Sequence, residues 1–266
     1  MSYVKMSYDD LLGDDEGIKK NLGFQDKGVT YVAIIGDHSG SMSEYLEGKS
    51  KSDLAMSNFN EQIATLKQEA DEGMEVLATI IDFDNEIICQ NENVDINEIK
   101  PLEEYWTRGM TSLYDAIAFG VTKIQTKLDK DQRENKAALV IVETDGYENA
   151  STDYAVHEDG LKRLSKLIKD LEDSGKWTFT FLGAGLDEKF AKNMGFAAGN
   201  TIVPQGLGDT VAAYNISNVG LKNFMGSRKR GVFQSKAFYT DASDKKNWNV
   251  NDNDSINDND SKEEEE

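Results

Sequence analysis

The chain is short of cysteine, of cations and of long apolar runs, and each shortage closes off a class of function. One cysteine, Cys89, serves 266 residues; an intramolecular disulfide is excluded and a reducing compartment is expected. Lys and Arg number 29 against 49 Asp and Glu, a formal net charge of -20. Nucleic acid and anionic membrane surfaces are poor partners for such a chain, because binding phosphates takes clustered cations. Apolar runs such as residues 76–81 are far too short to cross a bilayer. The first seventeen residues carry Asp9, Asp10, Asp14, Asp15 and Glu16 and no apolar stretch, so no secretory signal is expected. The length suffices for one large α/β domain, and the bounds together describe an acidic, soluble, cytoplasmic protein.

What is present is an alternation of apolar runs and amphipathic stretches. Residues 31–35, 76–83, 137–142 and 177–182 are continuous apolar runs, the mark of strands buried on both faces, and a further strand is expected around 200–203. Between them, Met56, Phe59, Ile63, Leu66 and Ala70 recur at helical spacing, with Gly73 as the stop. Further helices are expected from Thr111 to Leu128, across Leu161 to Leu171, around 187–194 and from about 209 to 224. Asp84 and Asn85 form a tight turn into a short strand at 86–90. This order predicts an α/β fold: a doubly wound, mostly parallel, Rossmann-like sheet with one short antiparallel edge strand and helices on both faces. The domain is expected over 29–226, after an acidic, flexible leader at 1–28. Residues 227–236 are locally basic (Arg228, Lys229, Arg230, Lys236), a place for steering a partner. Residues 241–266 hold ten acidic and three basic side chains, too polar to bury surface against their ordering entropy, and read as a disordered tail.

Three segments carry oxygen side chains to the carboxyl ends of predicted strands or to a helix start. Asp37, Ser39 and Ser41 follow the first strand, Thr111 opens a helix, and Asp145 follows the third long strand. In a doubly wound sheet the loops leaving neighbouring strands converge on one crevice. Carboxylate and hydroxyl oxygens without thiolate or imidazole suit Mg²⁺ or a similar hard cation. Each piece alone has an ordinary reading. Asp and Ser cap helices, as Thr111 can; Asp145-Gly146 is a common turn; Asp115 complements a helix dipole or orients Thr111. Cys89 reads as a small core residue, His38 as a neighbour of the site with no metal role, and His157 as having no catalytic partner. Residues 183–185 form a turn, since neither Gly-x-Gly-x-x-Gly nor a P-loop lysine is present.

The set Asp-x-Ser-Gly-Ser at 37–41, Thr111, and Asp145 within Thr-Asp-Gly-x-Glu-Asn resembles the metal-ion-dependent adhesion site of von Willebrand factor type A domains. Gly-Met-Thr-Ser-Leu-Tyr-Asp-Ala-Ile at 109–117 and Trp-Thr-Phe-Thr-Phe-Leu-Gly-Ala at 177–184 are similar to a small intracellular subgroup found in bacteria and their phages. The resemblance implies Mg²⁺, with Mn²⁺ or Ca²⁺ as substitutes. Ser39 and Ser41 would be direct ligands, and Thr111 direct in a high-affinity state and water-bridged otherwise. Asp37 and Asp145 would hold the ion's waters. Gly36 stands where the family more often has an apolar residue, which is expected to loosen the strand end. Some relatives switch affinity by shifting a C-terminal helix, here 209–224.

The leading function is therefore a metal-dependent protein-binding module, not an enzyme, that captures a partner's Asp or Glu through an open position on the ion. An adaptor for a ring-shaped ATPase is an alternative that only the resemblance supports. A structural or virion component whose metal merely stabilises the fold is another, favoured weakly by scarce proline and abundant Asn, Asp and Lys. A phosphohydrolase with Asp37 as nucleophile is disfavoured, because position 39 is serine and not a second aspartate.

Overall fold

The computed structural model describes residues 27–71, 74–155 and 159–243. The expectations for the leader up to residue 26, for Gly73, for His157 and for the tail from residue 244 lie outside the described residues. The strands are β1 (Val29–Asp37), β2 (Tyr45–Leu46), β3 (Lys49–Ser50), β4 (Glu75–Phe83), β5 (Ile87–Asp95), β6 (Lys136–Thr144), β7 (Trp177–Gly183) and β8 (Thr201–Ile202). The helices are α1 (Lys51–Asp71), α2 (Leu113–Leu128), α3 (Gly160–Asp173), α4 (Glu188–Met194), α5 (Leu207–Lys229) and α6 (Phe238–Ser243).

Six strands form the main sheet in the order β5-β4-β1-β6-β7-β8, and β2 and β3 pair separately. Within the main sheet all neighbours run parallel except β4 and β5, and β2 and β3 are antiparallel. The expected doubly wound sheet with an antiparallel edge is therefore present. Alternation along β1 explains its two buried faces. Tyr31, Ala33 and Ile35 pack with Leu113, Ile117 and Ile124 of α2, while Val32 and Ile34 pack with Ile63 and Leu66 of α1 and Leu221 and Phe224 of α5. Each such large aliphatic or aromatic side chain contributes about 1.5–3 kcal/mol by leaving water.

Several elements differ from expectation. The edge strand is nine residues long, not short, and its register against β4 shifts twice. It admits Asn93 at a φ of 50°, a bulged edge of the kind that resists further pairing. Half-buried Cys89 lies on this strand and its thiol donates to the Asn91 carbonyl at 3.2 Å, so it is not a core residue. α5 continues past 224 to Lys229 because its last turn is anchored: Arg228 is wholly buried, and Lys229 Nζ reaches Glu69 at 2.5 Å. The basic run at 227–236 is in part a structural clamp. Gly36 keeps strict register with Asp82 and Glu143, so the strand end is not loosened. The hairpin of β2 and β3 left no periodic signal because each strand has two residues.

Candidate functional site

β1 and β6 lie side by side where the order of strands across the sheet reverses, since the chain goes from β1 to β4 on one flank and later to β6 on the other. The crevice outside the carboxyl ends of two such strands is the ligand position of open α/β sheets. Asp37 is the last residue of β1, and Asp145 is the first after β6. A single turn of 3-10 helix, Gly40–Ser43, follows at once and sets the Ser39 and Ser41 hydroxyls 3.1 Å apart.

The contacts join the candidates in sequence. The Ser39 amide donates to Asp37 Oδ1 at 2.7 Å, and the Ser41 hydroxyl donates to Asp145 Oδ1 at 2.6 Å. Asp37 Oδ2 accepts the Thr144 hydroxyl at 2.5 Å. Thr111 arrives from the third segment. A Cβ placed on Gly146 would stand 3.0 Å from Thr111 Oγ1 and 3.7 Å from Asp37 Oδ2, so a bare residue there lets the loop pass close to both. All five expected side chains thus gather at one edge.

Thr111 is neither helical nor the cap of α2, which starts at Leu113 after Ser112. Its backbone is held instead. Its amide donates to Asn149 Oδ1 at 2.8 Å, and its carbonyl accepts the amides of Asn149 and Ala150. Glu148 accepts the Tyr114 amide at 2.8 Å. The Glu-Asn that closes Thr-Asp-Gly-x-Glu-Asn therefore locks the β6 exit loop onto the start of α2. Asp115 accepts the amides of Thr152, Asp153 and Tyr154, so it orders the loop beyond and not Thr111. His38 is buried, stacked on Tyr105 at 3.9 Å, with Nδ1 donating to the Trp106 carbonyl at 2.7 Å and Nε2 3.3 Å from Asp82. It fixes the 105–106 segment.

Two participants had little or no sequence signal. Thr144 is one, legible only as a hydroxyl beside an aspartate. Lys51 is the more consequential: its Nζ lies 2.7 Å from Asp145 Oδ2 and 2.8 Å from Glu44 Oε2. It comes from the first turn of α1, delivered there by the β2–β3 hairpin, 94 positions from its partner. Burial would lower the Lys51 ammonium, but its hydrogen bonds and charge contacts with Asp145 and Glu44 outweigh that and raise it. Asp37, 1% exposed, is pushed up by burial against the opposing hydrogen bonds of Ser39 and Thr144.

Chemically the cluster offers two carboxylates and three hydroxyls. Among the described residues no three of His, Cys, Asp and Glu gather into a metal-holding group, so any cation here would rely on hydroxyl oxygens and water. That donor set fits Mg²⁺, which keeps several waters and needs few protein ligands. The Lys51 ammonium on Asp145 shows that the edge accepts a positive charge. Around it, Tyr45, Met110 and Tyr147 are 73%, 54% and 49% exposed; each lies within four positions of a cluster residue.

No protein-family model and no curated protein matches the chain. Solved structures do. A pilus adhesin, SpaC from Lactobacillus rhamnosus GG, is similar at 16% identity and a TM-score of 0.53, over 78% of this chain and 31% of that one. The D319A mutant of the PilB minor pilin from Streptococcus sanguinis is similar at 12% identity and 0.50, over 81% and 63%. A von Willebrand factor type A protein from Catenulispora acidiphila gives 15% identity and 0.45, over 77% and 42%. The chain therefore spans less than two thirds of the length of each of these proteins, and identity this low speaks to the fold alone. Among the described residues no helix is long and apolar enough to cross a membrane.

Proposed function

We propose that the protein is a von Willebrand factor type A-like binding module that holds a divalent cation, Mg²⁺ by preference, with Asp37, Ser39, Ser41, Thr111 and Asp145. The observation that carries this reading is the meeting of those five side chains at the β1–β6 switch point, beside exposed Tyr45, Met110 and Tyr147. Exposed aromatic and Met side chains around a polar centre are the usual makings of a protein interface. Neutral hydroxyls next to the ion leave it electrophilic, so a carboxylate of a partner protein completes its shell. Hydrolysis is not the reading, because no second carboxylate stands at position 39. The single, half-buried Cys89 supports a cytoplasmic location.

A net charge of -20 repels an acidic partner at long range, so capture depends on the ion locally. Pull-down from source-cell lysate in Mg²⁺ and in EDTA tests this, with Thr111→Ala and Ser39→Ala as controls. A protein recovered only by the wild type in Mg²⁺ supports the reading, and chelation should weaken it far more than added salt. Equal recovery by Ser39→Ala, in metal and in chelator, sinks it. If the recovered protein is a ring-shaped ATPase, stimulation of its turnover on mixing identifies an adaptor. The second reading, a structural role for the ion, is favoured by the Lys51–Asp145 pair, which already neutralises one carboxylate. It predicts a large fall in melting temperature on metal removal and no metal-dependent partner.

A further inference from the structure

Between the sheet and the helices α1 and α5, next to the oxygen cluster, the fold encloses a cavity of about 260 Å³. Its walls are mainly apolar, with Ile34, Phe59, Ile80 and Leu182 among them, and half-buried Leu46 and Lys51 with exposed Gly185 mark its mouth. An apolar cavity of roughly 150 Å³ already accepts benzene, so there is room here for a ring and a short chain.

The lining also has a polar side, with His38, Asp82, Thr144 and Asp145 on it beside Glu143. Glu143 of β6 points its carboxylate to the cavity, held by buried amides: Asn58 Nδ2 donates to both oxygens at 2.7 and 2.9 Å, and Gln62 Nε2 to Oε1 at 2.6 Å. Asn58 and Gln62 are 1% and 0% exposed, and Asn218 braces Asn58 from α5. These amides fix the carboxylate without neutralising it. Among the described residues no Lys, Arg or His forms an ion pair with Glu143; the ammonium at the mouth, Lys51, is engaged by Asp145 and Glu44. A charge in such a place is costly unless paired, and vacant apolar walls forgo dispersion contacts.

One kind of ligand relieves both deficits. We propose that this cavity is a binding site for a small organic amine, taken up as its ammonium, with the charge on Glu143 and an apolar body against Phe59 and Ile80. The Tyr214 hydroxyl, also on the wall, adds a hydrogen-bond acceptor. A carboxylate of the same shape meets Glu143 and Asp145 and is refused.

The site borders the divalent-cation cluster, with Asp145 on the lining of both, and is tested with EDTA present throughout so that the two readings fail separately. At mildly alkaline pH, phenethylamine should raise the melting temperature saturably and bind in calorimetry at least about tenfold more tightly than 2-phenylethanol, with 3-phenylpropanoate not bound. Glu143→Gln should abolish the preference for amine over alcohol. Ala55→Leu, which extends a side chain into the cavity from α1, should weaken both. Absence of amine binding to the wild type, equal binding of amine and alcohol, or undiminished amine binding by Glu143→Gln each overturns the proposal. So does binding of a lysine-bearing peptide without the free amine, or a response to Mg²⁺ alone that depends on Glu143.

Discussion

The two ends of the sheet are built on opposite electrostatics. At the amino-terminal ends of β1, β4 and β6, cations meet oxygens. Buried Arg228 donates to the Val29 carbonyl at 3.1 Å, Thr30 Oγ1 at 3.2 Å and Asn135 Oδ1 at 2.9 Å, and lies over the Phe233 ring. Arg133 joins Asp131 and Glu75, and Tyr31 donates to Asp131 at 2.8 Å. Hydrogen bonding from Arg133 holds the Asp131 carboxyl far below the usual carboxylate range. At the carboxyl-terminal end Arg108 pairs with Asp84 just past β4, but the acids at the ends of β1 and β6 sit among hydroxyls and amides. Asp37 and Glu143 are both pushed up by burial, and Lys51 reaches Asp145 and Glu44 only. One end ties its cations to oxygens in a closed network; the other leaves the Asp37 and Glu143 carboxylates on neutral donors. Departures from full pairing are expected where a fold binds something.

The largest effect should come from breaking the closed end. Arg228→Met leaves several buried oxygens without a donor, each costing about 1–3 kcal/mol; a loss of about 3–4 kcal/mol in urea unfolding is expected. Arg228→Lys should recover only part, since an ammonium lacks the guanidinium's planar fork. Stability within about 1 kcal/mol of wild type for Arg228→Met would remove the distinction between the ends.

The next effect concerns pH, and the two ends have opposite signs. Glu143 titrates near 7 in the folded chain and near 4.3 when unfolded. Its folded form therefore holds the proton more tightly, and its contribution is fully present below the unfolded value and lost as pH rises to about 7. The difference is about 4 kcal/mol at most. Asp131 behaves the other way: its depressed carboxyl adds stability above the unfolded value that is lost as pH falls below it. Unfolding free energies measured across this range should show Glu143→Gln flattening the fall between about pH 4 and 7. Asp131→Asn should flatten the acid limb alone. A Glu143→Gln curve parallel to wild type would show that the cavity wall is not a buried charge.

The comparison also explains what the sequence could carry. The strands and the five oxygen residues were legible because buried strands are continuous apolar runs and the switch point follows from their order. Long-range polar contacts left no such trace: Arg228 read as part of a basic patch for steering and Lys51 drew no reading, although one is buried against β1 and the other reaches a residue 94 positions away. The long, bulged β5 was underestimated because its outer face is polar and Asn93 breaks the alternation. The cavity is invisible in sequence because it arises from the spacing of α1, α5 and the sheet, with Gly36 and Ala55 small on its walls.

The smallest expected change sharpens the comparison most. Among the described residues Lys51 is the one cation that the open end brings to Asp145, at 2.7 Å and with the carboxylate 3% exposed. On the metal-binding reading, a cation arriving beside Asp145 must displace that ammonium toward Glu44, whose carboxylate is 66% exposed. The stability that the pair gives the metal-free chain is then the same free energy that opposes the ion. Lys51→Met should lower metal-free stability by about 1–2 kcal/mol, the scale of a partly buried charge-assisted bond. It should also tighten Mg²⁺ binding by a matching factor of roughly 5–30, because 1.4 kcal/mol is tenfold. Unfolding in EDTA and Mg²⁺ calorimetry on the same variant give the two numbers independently. A variant that loses stability but gains no affinity would place Lys51 with the structural cations of the opposite end.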